Sequence, residues 1–295
     1  MSPSQIHKVA VVGGTGSIGT PIVQELVDQG FEVSVLTRGS KEGNVPEGVT
    51  IKTVNYDDDE SIKSALAGQD AVVSTLGSAA LGPQQQKLAD VAFSSGVKRF
   101  IPSEFGINTR KVQGLKIGQI LAGKTKLVDD LIKKAEQNSN FTWTGLSNGM
   151  FFDYLGFDGK AKKATIVDSG NERFQTTTRK TIAKAVASIL KHPQETANQY
   201  LSIASFQPTQ NEILKIAEEE TGSKWTVAHD NTAELQKIGE EKLAKGDYSA
   251  FIQLLRVHLY RDGEGHALKD SEKANKLLGL PEEEDLRAEL KKLLP

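Results

Sequence analysis

The segment Lys8–Gly19 reads KVAVVGGTGSIG. A β-branched apolar run stops at Gly13 and gives way to a helical pattern over Ile18–Asp28. Glycines 13, 16 and 19 form a G-x-x-G-x-x-G series across that junction. A sharp strand-to-helix turn needs a residue free to take positive φ. A backbone without Cβ atoms lets an anion approach its N–H groups, and the following helix offers oriented donors and partial positive charge. In this context Gly13, Gly14, Thr15, Gly16, Ser17, Ile18 and Gly19 mark a site for a dinucleotide pyrophosphate. The bland alternative is a glycine-rich turn that holds no ligand.

The first half repeats the same rhythm. Apolar runs at Phe31–Thr37, Thr50–Val54, Ala71–Leu76, Lys98–Pro102 and Phe141–Leu146 predict strands. Between them Asp59–Leu66, Pro83–Ser94 and Gln119–Gln137 predict helices. Strands alternating with helices imply an α/β fold with a Rossmann-type doubly wound parallel sheet covered on both faces. After Leu146 the rhythm weakens. Short strands are expected at Lys162–Val167, Arg173–Thr177 and Gln199–Ile203, and helices at Arg179–Leu190, Thr209–Gly222, Thr232–Lys245, Ser249–Tyr260 and Glu282–Leu294. Thr209 and Glu212 have capping-box spacing, and Gly222 suits a helix end. Residues 1–150 thus form the expected nucleotide-binding domain. Residues 151–295 form a smaller, mostly helical substrate domain, from which about residues 179–204 rejoin the sheet.

Composition removes several function classes. The 295 residues contain no cysteine, which excludes disulfides, thiolate metal sites and cysteine nucleophiles. Lysine and arginine number 36 against 38 acids, a net charge of −2. No basic field attracts nucleic acid or anionic lipid. No apolar stretch reaches the ~18 residues of a membrane span. The polar first eight residues lack the apolar centre of a secretory leader. A cytoplasmic protein acting on a small molecule, as monomer or homodimer, is expected. The five histidines show no metal-ligand spacing.

The tip of the second strand bears on the cofactor. An acid there would bind the adenosine ribose of NAD; an arginine can hold the 2′-phosphate of NADP. The sequence reads Val35-Leu36-Thr37-Arg38-Gly39-Ser40-Lys41, with no acid and with Arg38 in reach. NADP(H) is therefore expected, with Thr37 and Ser40 as further donors and Lys41 as a weaker candidate. The alternative makes Arg38 a solvated loop residue. Thr75, Leu76 and Gly77 follow the fourth strand, where small residues let the cofactor pass. Asp57 and Asp58 suit a helix cap better than an adenine contact.

RFIPSEFG, at Arg99–Gly106, closely resembles the isoflavone reductase-like proteins, which include the phenylcoumaran benzylic ether reductases within the NmrA-like atypical short-chain reductases. GGTGSIG, LTR, STLG and SNGMFF (Ser147–Phe152) share the resemblance, which runs more weakly through Thr177–Ala183. It implies hydride transfer from NADPH and a catalytic lysine on the helix after PSEFG. That residue is Lys124, with Leu127 and Leu131 on the buried face. Lys126 lies roughly 200° further round and cannot share its cleft. Read alone, Lys124 would pass for one more surface lysine. Ser103, Glu104 and Phe105 are expected to line the cofactor or pocket, with a capped turn at Pro-Ser-Glu as the alternative. Met150 and Phe151 are expected at the substrate, with inter-domain packing as the alternative for Phe151. Asn148 either touches substrate or fixes a loop. Phe152, Tyr154 and Phe157 line a pocket or pack between domains. Thr181 stands where related proteins often carry an acid. None of the five tyrosines has a lysine four residues later, so the usual tyrosine–lysine pair of short-chain dehydrogenases is absent. An NADPH-dependent reductase of a small, aromatic or conjugated substrate is the leading expectation. The alternatives are an NADP(H)-binding regulator without catalysis and a quinone-type reductase.

Overall fold

The structure is a computed structural model and describes residues 5–39, 45–77, 82–154, 156–264 and 266–295. In chain order the strands are β1 (Lys8–Val12), β2 (Glu32–Thr37), β3 (Thr50–Thr53), β4 (Ala71–Ser74), β5 (Arg99–Ile101), β6 (Thr142–Ser147), β7 (Met150–Phe151), β8 (Phe157–Asp158), β9 (Lys163–Val167), β10 (Thr176–Thr177), β11 (Gln199–Ser202) and β12 (Thr226–Asp230). The helices are α1 (Gly19–Asp28), α2 (Asp59–Leu66), α3 (Pro83–Ser94), α4 (Lys116–Ile120), α5 (Ala122–Gln137), α6 (Arg179–Lys191), α7 (Gln210–Thr221), α8 (Thr232–Ala244), α9 (Ala250–Tyr260) and α10 (Leu286–Lys291).

Seven strands form one sheet in the order β11-β6-β5-β4-β1-β2-β3, every pair parallel. The order reverses between β1 and β4, which opens a crevice at the carboxyl ends of those strands. Side chains alternate across the sheet. Val9, Val11, Val35 and Val73 pack with α1 and α6 on one face. Ala10, Val12, Leu36, Val72 and Phe100 pack with α2, α3 and α5 on the other. Burial on both faces explains why the strands read as continuous apolar runs. The far side of the sheet is fastened at its amino edge by Arg99. Its Nε donates to Thr142 Oγ1 at 2.8 Å, and Nη1 donates to Thr144 and Thr196 at 2.8 and 3.0 Å. Nη2 bonds the Pro193 carbonyl. Burial pushes the guanidinium pKa down to about 10.

The helix expected over Gln119–Gln137 is two helices meeting at Leu121, which ends α4 and caps α5. The break places Lys124 in the first turn of α5. Beyond the main sheet, β7 pairs with β10, and β8, β9 and β12 form a three-stranded sheet. Phe152, Phe174, Phe206, Trp225, Leu254 and Tyr260 build a third apolar cluster there. The capping box at Thr209 and Glu212 and the left-handed Gly222 (φ 60°) bound α7 as their spacing predicts. The strand expected at Arg173–Thr177 shrinks to β10. The helix expected at Glu282–Leu294 shrinks to α10, because Glu284 is held by Thr181 and Ser205 while Asp285 caps the Ala288 N–H. Among the described residues no helix is long and apolar enough to cross a membrane.

His258 on α9 packs against His266, the rings tilted at 44° with their centroids 4.1 Å apart. Burial first, and the His266 charge second, push its pKa down to about 4, while Glu264 acts in the opposite sense. The folded state therefore takes up this proton later than the unfolded chain, whose value is about 6.5. The contribution is complete above about pH 6.5 and is lost as pH falls through about 4. His258→Leu should flatten the decline between pH 6.5 and 4.5 by roughly 3 kcal/mol at most, read from urea midpoints at each pH.

Candidate functional site

The carboxyl edge of β1 leads into the glycine turn. Gly13 has φ 77°, and a Cβ there would lie 2.9 Å from the Thr75 carbonyl oxygen. Gly19 opens α1, and its Cβ would lie 2.2 Å from the Gly13 carbonyl oxygen. Gly14 is buried, with its Cβ direction blocked at 2.8 Å by Val35. Thr15, Gly16 and Ser17 are exposed, and Ile18 is half-buried. Ile18 occupies the cap position of α1 without a side-chain hydrogen bond to the helix. No side chain caps the first turn of α1, although the Thr20 N–H is already taken by the Gly16 carbonyl at 2.9 Å.

Arg38 is exposed at the tip of β2, and its charge reaches the buried Tyr56 phenol beneath it. Burial dominates and pushes that phenol up. Tyr56 Oη donates to the Leu36 carbonyl at 3.2 Å, which packs the ring under the loop. Thr37 Oγ1 donates to the Gly39 carbonyl at 2.8 Å. Ser40 and Lys41 lie outside the described residues. Asp58 caps α2, accepting from the Glu60 N–H at 3.1 Å.

Hydrogen bonds join the loops after β1, β4, β5 and β6 into one rim. Thr75 Oγ1 donates to the Val12 carbonyl at 2.8 Å, and Ser103 Oγ to the Leu76 carbonyl at 2.9 Å. Gln85 Oε1 accepts from the Ser103 N–H at 2.7 Å. The Gly106 carbonyl accepts from the Asn148 and Gly149 N–H groups and from Ser147 Oγ, each at 3.0 Å. Leu76 is half-buried and Gly77 exposed at this rim, while Thr75, Ser103 and Phe105 are mostly covered.

In a parallel sheet the helix between two strands starts at the carboxyl edge, so the first turn of α5 belongs to the same rim. Lys124 lies there on the face that continues through Leu127, Val128 and Leu131 into the core. It is only 8% exposed, whereas Lys126 is exposed. Burial lowers the proton affinity of the Lys124 amine, and the negative charge of Glu104 opposes that shift. Glu104 is fully buried. Its Oε2 accepts from Thr109 Oγ1 and Tyr200 Oη, each at 2.6 Å, and its Oε1 has no hydrogen-bond partner. Burial and the neighbouring carboxylate push the Tyr200 phenol well up, so it remains a protonated donor. The Tyr200 ring lies over Gly145 of β6, where a Cβ would come within 2.8 Å of it.

Two expected contacts are placed differently. Glu104 offers no exposed surface to a cofactor and stands behind Lys124. Asn148 is also fully buried; its Nδ2 donates to the Gly149 carbonyl at 3.0 Å, so it fixes the loop. Met150 and Phe151 are half-buried on β7, and Tyr260 Oη donates to Met150 Sδ at 3.3 Å. Phe151 meets the exposed Tyr154 edge-on at a centroid distance of 6.2 Å. Phe152 packs against Phe206 within the third cluster, and Phe157 against Trp225. Thr109, Gly145 and Tyr200 were not singled out in the sequence. Only Gly145, a glycine inside a strand, carried a local signal of close approach. Among the described residues no group of three or more histidines and acids is placed to hold a metal ion.

A doubly wound parallel sheet, a glycine turn after β1 and a basic tip on β2 together define a dinucleotide-binding α/β protein. The NmrA-like family model matches residues 5–251, and the chain belongs to that family. It is 35% identical over 283 residues to the oxidoreductase aprR of Aspergillus flavus, covering 93% of this chain and 94% of that one. It is 28% identical over 263 residues to the phenylcoumaran benzylic ether reductase POP1 of Populus trichocarpa, covering 83% and 82%. Among solved structures it resembles AtPrR2 with NADP+ and (+)-pinoresinol, with a TM-score of 0.80, 24% identity and 99% of each chain covered.

Proposed function

We propose that this chain is an NADPH-dependent reductase that delivers hydride to a small aromatic or conjugated substrate. Its membership of the family and its 35% identity to an oxidoreductase support the enzyme class. The site fits NADP(H). Gly13, Gly14, Gly16 and Gly19 and the start of α1 suit the pyrophosphate, and exposed Arg38 suits the 2′-phosphate. The Thr37 hydroxyl, expected as a further donor, is already spent on the Gly39 carbonyl. Leu76, Gly77, Ser103 and Phe105 lie along the path toward the nicotinamide. Residues 1–150 with α6 and β11 hold the cofactor, and the remaining chain with Met150 and Phe151 shapes the substrate pocket. A cysteine-free chain suits a reducing cytoplasmic setting, as monomer or homodimer.

The observation that carries the reading is Lys124, a buried amine at the rim with a buried carboxylate behind it. NADPH supplies the hydride when bound. The Lys124 ammonium hydrogen-bonds the substrate oxygen and donates a proton as negative charge builds there. Glu104, gripped by Thr109 and Tyr200, favours the charged amine. A regulator that only senses NADP(H) has no need of such a group.

Two measurements test this. Purified protein should oxidise NADPH with at least one member of a panel of aromatic ketones, enones and benzylic ethers; tight NADPH binding without turnover across the panel would favour the regulator. Arg38→Ser should weaken NADPH binding about 10- to 100-fold, equivalent to one or two charge-assisted hydrogen bonds, and leave NADH binding within about threefold. Equal losses for both cofactors would remove Arg38 from the phosphate site.

A further inference from the structure

Arg179 is the first residue of α6 and touches three parts of the molecule. Its Nη1 donates to the Ser17 carbonyl of the glycine turn at 3.1 Å. Its Nη2 pairs with Asp153 Oδ2 at 2.6 Å. Its guanidinium carbon lies 5.6 Å from the centroid of the Tyr154 ring. Asp153 and Tyr154 follow directly on β7, which carries Met150 and Phe151, and Tyr154 meets the Phe151 ring. One side chain therefore spans from the pyrophosphate turn to the segment that faces the substrate. The chain distance is large: Ser17 and Arg179 are 162 positions apart.

We propose that Arg179 is a positioning residue that makes dinucleotide occupancy of the glycine turn hold the Met150–Tyr154 segment in place. This rests on the NADP(H) reading above. A guanidinium has five N–H donors in a rigid fork. The bonds to Ser17 and Asp153 leave others for a phosphate oxygen arriving at the turn. A dianionic pyrophosphate beside Ser17 adds a second anion to a cation already paired with Asp153. The cation between them is then fixed from both sides, and the stacked Tyr154 and its neighbour Phe151 are fixed with it. Cofactor and substrate binding become coupled through a shared ion pair. By linkage, loosening the pair weakens that coupling in both directions. Lysine cannot replace this arrangement, because a single ammonium lacks the planar fork that bridges the turn and Asp153.

The test is hydrogen–deuterium exchange on the full chain with and without NADPH, in the wild type and in Asp153→Asn and Arg179→Lys, with NADPH affinity measured by fluorescence titration. In the wild type, NADPH should slow exchange both at residues 13–19 and at residues 150–154. Asp153→Asn keeps its shape, so it should bind NADPH within about threefold and protect residues 13–19, yet lose the protection at 150–154. Arg179→Lys should lose that remote protection too and bind NADPH roughly tenfold more weakly, because it also loses a charge-assisted hydrogen bond to the phosphate. Wild-type protein that binds NADPH with no change at 150–154, or Asp153→Asn protein with undiminished protection there, overturns the inference. Wild-type protein unprotected even at residues 13–19 overturns the cofactor reading, and the inference falls with it.

Discussion

Lys124→Met should reduce turnover of NADPH with its substrate by about 10²- to 10⁴-fold, the usual contribution of a positioned proton donor. Methionine matches the length of the lysine stem and keeps its packing beside Leu127 and Val128. Affinity for NADPH should change by only a few-fold, so that the loss falls on kcat. The variant should also be less stable than the wild type, because the fully buried Glu104 carboxylate loses the cation beside it and is left with an uncompensated charge. Full turnover in Lys124→Met would remove the amine from the chemistry. The pH profile gives a second check. Burial lowers the proton affinity of Lys124, and Glu104 restores part of it. A reaction that needs the ammonium must therefore fail as pH rises, and earlier than an ordinary lysine would allow. Tyr200→Phe removes one hydrogen bond from Glu104 Oε2 and should displace that alkaline limb while leaving KM for NADPH close to its wild-type value.

Gly19→Ala should nearly abolish NADPH binding, by a factor of about 100 or more in Kd, equivalent to roughly 3 kcal/mol. The added Cβ would lie 2.2 Å from the Gly13 oxygen and 2.7 Å from the Gly14 Cα. Both are backbone atoms, so no side chain can rotate away. The turn must open or α1 must shift, and either change moves the N–H groups that receive the pyrophosphate. Gly16→Ala is the matched control. Its Cβ meets only the Gly13 oxygen, at 3.1 Å, so the protein should stay folded with a smaller loss of affinity. Comparable losses in the two variants, by isothermal titration, would show that the close approach at Gly19 is not what the site depends on.

The sheet and the cofactor edge were legible in the sequence because their causes are local. Valine runs buried on both faces, a glycine forced to positive φ and an arginine at a strand tip each need only a few adjacent residues. The break at Leu121 was not legible, because Ile120 and Ala122 are both acceptable inside a helix and the choice is made by packing elsewhere. The partners of Lys124 were hidden for a similar reason. Tyr200 is 96 positions from Glu104 and meets it only when β11 joins β6. Glu104 was expected at the cofactor and Asn148 either at the substrate or as a loop support; full burial makes both supports in this structure. β12 escaped notice because it is mostly exposed, with little of the strict alternation that marks a half-buried strand. Thr181 had suggested a missing acid; Glu284, brought back from the far end of the chain, accepts its hydroxyl instead.

The late return of β11 has a consequence for synthesis. A nascent chain that has emerged only as far as β6 presents that strand as an open edge, with the α6-facing side of α1 uncovered. Neither is closed until about fifty further residues have left the ribosome. Arg99 waits as well, since Pro193 and Thr196 supply two of its acceptors. The final fastening comes later still, when Asn275 bonds the Ala204 carbonyl and N–H. A shortened message ending before β11 would release a chain with an adhesive margin, which is the kind of intermediate that chaperones intercept.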